Sequence, residues 1–142
     1  MGDDQLPARF EEELRRLGFT PVLLSASKPA SAFGDREVIV RLDPILLRLV
    51  RDRGEEFLSV APALMPGRFH QFDDLEIAWG WRSVEQVLGK REPEPISAVL
   101  GRLRANFDEI KAAFELDRAP VTIKRIEEAM RRRGEAFAAR LR

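Results

Sequence analysis

The residues best equipped for chemistry in this chain are carboxylates. Asp73, Asp74 and Glu76 fall within four positions, and Glu55 and Glu56 add two more upstream. Between positions 55 and 76 these five acids meet one base, Arg68, a local net of −4. Carboxylates in such numbers can move protons or hold a divalent cation. The order Asp73-Asp74-Leu75-Glu76, however, lacks the alternating ligand spacing of a calcium loop. Two readings are left: a solvated acidic face, or a patch that meets a basic surface on another protein.

The other candidates are fewer. His70 is the only imidazole, so a His-pair metal site is excluded, and with no G-x-S-x-G elbow it reads as an ordinary strand or turn residue. Trp79-Gly80-Trp81 sets two large aromatics around a glycine, either closing a core or offering an interface anchor at Trp79. Residues 118–142 hold eight bases and three acids, net +5, and a basic helix can lie on phosphate. Against this, Arg131, Arg132 and Arg133 are consecutive and point around a wide arc, with no aromatics interleaved. They read as a solvated helix face, with nucleic-acid binding as the alternative. The glycines of Phe33-Gly34-Asp35 and Arg53-Gly54 lack the repeats and lysine of a phosphate loop.

Composition narrows the classes further. The chain has 142 residues, 34% of them charged, with 24 Lys+Arg against 24 Asp+Glu, and no cysteine. Disulfide frameworks, thiolate metal sites and cysteine nucleophiles are therefore excluded. Neutrality argues against a strongly basic nucleic-acid binder. No apolar run reaches the ~18 residues of a membrane span, and the acidic start does not resemble a secretory signal. The expectation is a cytoplasmic protein with no cofactor, no metal and no membrane contact.

These side chains must be positioned by an α+β scaffold, read as one domain over residues 1–142. Leu6, Phe10, Leu14 and Leu17 mark a helix over residues 4–17 that stops at Gly18. Residues 19–25 read as an edge strand and 25–32 as a loop. Residues 37–42, 45–51 and 55–61 read as an antiparallel meander. With Arg53-Gly54 as one loop, Leu49 faces Leu58 and Leu47 faces Val60. Across Asp43-Pro44, Val40 faces Leu47 and Val38 faces Leu49, with a loop expected to be wider than two residues. Both turns select one apolar face: Val38, Val40, Leu47, Leu49, Leu58 and Val60. The opposite face, with Ile39, Arg41, Leu46, Arg48, Val50, Phe57 and Ser59, is mixed enough to need partial cover. Residues 68–81 read as one more strand followed by a helical turn. Ser83 and Gln86 form a capping box for a short helix. Beyond residue 90 two helices are predicted as a hairpin. Their stripes are Ile96, Val99, Leu100, Leu103, Phe107, Ile110, Phe114 and then Ile123, Ile126, Met130, Phe137, Leu141.

The span Phe33-Gly34-Asp35, Arg51-Asp52-Arg53-Gly54, Ala61-Pro62 and Trp81-Arg82-Ser83 resembles a group of small bacterial proteins with an F-G…R-D-R-G…A-P…W pattern. Some of these look like immunity partners encoded near secreted polymorphic toxins. The resemblance covers about two fifths of the chain and stops short of the C-terminal helices. It implies a binding role; together with the acidic stretch and the missing catalytic constellation, the expectation is a non-catalytic protein-binding module that occludes a toxin domain, with Glu55, Glu56, Asp73, Asp74, Glu76 and Trp79 as the expected contact residues. A homo-oligomer is left open.

Overall fold

A computed structural model describes residues 5–27, 36–90, 92 and 94–141. The expected helix start at residue 4, Phe33-Gly34-Asp35, and most of the loop to residue 32 lie outside those residues. The fold is α+β. Helix α1 (Leu6–Arg16) precedes strands β1 (Val22–Ala26), β2 (Arg36–Leu42), β3 (Ile45–Asp52), β4 (Glu55–Pro62) and β5 (His70–Gln71). Helices α2 (Phe72–Trp79), α3 (Val84–Leu88), α4 (Ile96–Ala105), α5 (Phe107–Ala113) and α6 (Ala119–Arg140) follow. The strands form one sheet in chain order, every neighbouring pair antiparallel.

The meander has the expected register. Val38 pairs with Leu49, Val40 with Leu47, Leu47 with Val60 and Leu49 with Leu58. All six aliphatics of that face are buried, each contributing roughly 1.5–3 kcal/mol by leaving water. The β3–β4 turn is Arg53-Gly54 with both residues at positive φ, 52° and 84°, the geometry whose twist matches the flanking strands. The β2–β3 turn differs from expectation. Leu42 pairs directly with Ile45, so the loop is only Asp43-Pro44, and its peptide is cis, as in turns with proline at the third position.

Over the apolar face, α1 lies against β1 and β2, and α4 against β4. Leu6, Phe10 and Leu14 from α1, Leu100 and Leu103 from α4, Ile110 from α5 and Ile126 from α6 join the sheet's aliphatics in one core. The first C-terminal stripe buries Leu100, Leu103, Ile110 and Phe114, but its helix is broken at Asn106. There the side-chain Nδ2 donates to the Arg102 carbonyl at 2.9 Å, a local bond that competes with the helical ladder.

The last helix departs further. Its main neighbours are α2 and α3, and it buries Ala119, Thr122, Ile123, Ile126 and Ala129. Relative to the predicted stripe this face is rotated, and Met130, Phe137 and Leu141 are left exposed. The rotation has a cause: small Ala129 enters a second cluster with Ile77 and Val87, and Arg133 is turned onto α2. No helix among the described residues is long and apolar enough to cross a membrane.

Candidate functional site

The acidic run was expected at the surface; it lies on α2, which is wedged between the sheet and α6. Asp74 and Glu76 are both fully buried. That corrects their assignment as contact residues, because a carboxylate enclosed this way must be neutralised inside the chain. Arg133 of α6 does so for Asp74 with two parallel bonds, Nε to Oδ1 at 2.7 Å and Nη2 to Oδ2 at 3.1 Å. The Asp74 carboxylate in turn raises the Arg133 pKa, against the opposing effect of burial.

Glu76 anchors a larger cluster. Arg102 of α4 donates to it through Nε at 2.7 Å and Nη2 at 3.1 Å, and to Glu94 through Nη1 at 2.6 Å and Nη2 at 3.0 Å. Arg82 Nη1 reaches Glu94 at 3.0 Å, and Glu76 and Asp73 each at 3.5 Å. Lys90 Nζ completes the set at 3.1 Å from Asp73. Three acids thus meet three bases. Burial alone would lower the Arg102 pKa, but its hydrogen bonds to Glu76 and Glu94 raise it. Hydrogen bonding from Arg102 holds the Glu94 carboxyl at about 2 despite partial burial, with the charges of Arg102, Arg82 and Lys90 adding to the effect. Fork-to-carboxylate bonding of this kind fixes geometry as well as charge, and here it joins α2, the chain around α3, and α4.

The remaining expected residues are scattered. Glu55 is exposed beside the β3–β4 turn, whereas Glu56 accepts from Arg9 at 2.8 Å and Arg51 at 3.3 Å. Trp79 is half-buried, packed on the core with Arg125 stacked 4.2 Å from its ring and Trp81 6.3 Å away. The basic run is also largely spoken for: Arg131 bonds Glu128 and Glu135, and Arg133 is committed to Asp74. The described residues contain no group of three or more His, Cys, Asp or Glu that could hold a metal ion.

What the fold does leave open is a groove between the outer face of the sheet and α6, enclosing about 400 Å³. Its apolar lining comes from Val50 and Phe57 on β3 and β4 and from Met130 on α6. Phe57 is 42% and Met130 46% exposed, unusual for large apolar side chains facing one cavity. Arg48 lies in the same groove with its guanidinium 4.8 Å from the Phe69 ring. Its nearest acid, Glu37, is 3.9 Å from Nε, and that atom has no hydrogen-bond partner among the described residues. His70, Gln71 and Asp52 also line it. The mixed character of Arg48, Val50 and Phe57 on the second sheet face was visible in the sequence. Met130 and Arg133 were not assignable to it, because their placement depends on the rotation of α6. Comparison with family models, with curated proteins and with solved structures gives no match to this chain.

Proposed function

We propose that this chain is a non-catalytic protein-binding module of the immunity type, which inhibits a toxin domain by covering it. The observation that carries the reading is the groove. Phe57 and Met130 stand nearly half exposed on opposite walls of one cavity. Such side chains gain by enclosing an apolar anchor from a partner. Arg48, without an acid at hydrogen-bond distance, adds recognition of a carboxylate beside that anchor. The contact surface is therefore this groove and the adjoining turn with Asp52 and Glu55; of the acids of α2 only Asp74 lines the groove, paired there with Arg133, while Asp73 and Glu76 are outside its lining. Those acids are consumed in holding the helices together and are unavailable for proton transfer, which supports a binding role over catalysis. A protein partner is favoured over nucleic acid because two of the three consecutive arginines of α6 are paired within the chain.

Co-expression with the protein encoded by the neighbouring reading frame, followed by calorimetry on the purified pair, tests this. The expected result is a tight one-to-one complex and relief of that protein's toxicity. The double variant Phe57→Asp, Met130→Asp is expected to weaken it at least about thirtyfold, the effect of losing a 2 kcal/mol hot spot. No complex, or one indifferent to both substitutions, defeats the proposal.

A further inference from the structure

The sheet has two edges, and they are built differently. On one side β5 is two residues long and runs directly into α2. On the other, β1 is a five-residue strand with every residue exposed and, among the described residues, no strand beyond it. Val22, Leu23 and Leu24 are 46%, 42% and 47% exposed. Because consecutive strand residues point to opposite faces, apolar surface is uncovered on both sides of the ribbon. The surrounding sequence, from Leu17 to Ser27, contains no Asp, Glu, Lys or Arg, although a third of the chain is charged. One other stretch of that length, from Phe57 to Gly67, is equally free of charge, and it includes most of β4, which pairs with β3 along its length and with β5 at Ser59 and Val60. Thus β1 has the composition of an interior strand in an edge position. Edges that are meant to stay single usually carry charges, lysine above all. Here the devices are limited to Pro21 just before the strand and a register shift between Leu23 and Ser25.

We infer that β1 is a homodimerisation edge, pairing antiparallel with β1 of a second copy to make one continuous sheet. The second copy is the occupant the observations favour. A two-fold axis brings a surface onto itself, so any charge on the strand would meet its own image. The strand carries none. With the axis at Leu23, each Leu23 faces its counterpart and Val22 faces Leu24, so the three central cross-strand pairs are aliphatic, with Ser25 and Ala26 falling opposite Pro21 and Thr20. Main-chain groups on the outer side of β1 gain partners in the same step. This inference does not depend on the groove, which lies against α6 on the far side of the sheet order.

Sedimentation equilibrium and light scattering over a dilution series test it. The expected mass is twice the 16.2 kDa of the chain, falling toward one chain on dilution. Leu23→Lys is expected to raise the dissociation constant at least about tenfold, with an unchanged circular-dichroism spectrum. Hydrogen exchange at residues 22–26 is expected to slow as wild-type concentration rises. A single-chain mass up to the solubility limit overturns the inference, as does a dimer that Leu23→Lys leaves intact. A monomer that gains a strand only from an unrelated peptide counts against it equally.

Discussion

Replacing Glu76 by Gln separates an internal clamp from a surface patch. Glu76 is fully buried and accepts two bonds from Arg102, at 2.7 and 3.1 Å, with Arg82 at 3.5 Å. Removing one member of a buried ion pair costs roughly 3–5 kcal/mol, largely because the other charge is stranded. Arg102 is not wholly stranded: its side chain is 29% exposed and it keeps Glu94 at 2.6 Å. The expected cost of Glu76→Gln is therefore about 2–3 kcal/mol. Asp74→Asn, which abandons the Arg133 fork, is expected to cost about the same. Glu55→Gln, at an exposed site, should stay within about 0.5 kcal/mol of wild type. Urea unfolding followed through Trp79 and Trp81 fluorescence measures all three, since both indoles sit beside α2. If the two buried variants unfold together with wild type, the carboxylates of α2 are not structural and the account of this region is wrong.

Acid should weaken the same cluster. Folding moves the Glu94 carboxyl from its ordinary 4.5 to about 2, so the folded state favours its ionised form. Its contribution is complete above the unfolded value and drains away as pH falls toward 2; allowing for solvent screening it is about 1–2 kcal/mol. Glu94→Gln should flatten the acid limb of stability over that window, and an unchanged limb would rule the pairing out as its source. Ser83 Oγ accepts from the Gln86 backbone amide at 3.0 Å while Gln86 Oε1 accepts from the Ser83 backbone amide at 2.7 Å. Ser83→Ala is expected to cost about 1 kcal/mol in thermal or urea melts. Gly134 lies inside α6, and an added Cβ would meet nothing within 4 Å. Gly134→Ala should stabilise by about 0.5–1 kcal/mol, and a lower melting temperature would contradict the open space.

The sheet was the legible part of this molecule. Its side-chain period is two, so two turns that agree on one apolar face leave little freedom, and Val38, Val40, Leu47, Leu49, Leu58 and Val60 occupy the places their spacing assigns. The capping box at Ser83 was legible because it is local. Placement of α6 was not. Counting apolar residues put Met130 and Phe137 inside, whereas Ala129 and Arg133 turn inward because of what α2 offers them, a close-packed wall and a buried carboxylate. The same blind spot affected Asp74 and Glu76. Charge in a sequence suggests water, and only the approach of Arg133 and Arg102 from distant helices makes burial affordable. Arg48 and Phe57 could be assigned to the outer sheet face, but the groove they line exists only once α6 lies beside it.

Because the acids of α2 and the arginines of α4 and α6 cancel one another within a few ångströms, this cluster projects little field beyond itself. Any macromolecule approaching it would receive scant electrostatic guidance. An encounter at that face would then proceed at a rate set by diffusion and shape, and recognition there would begin only on contact.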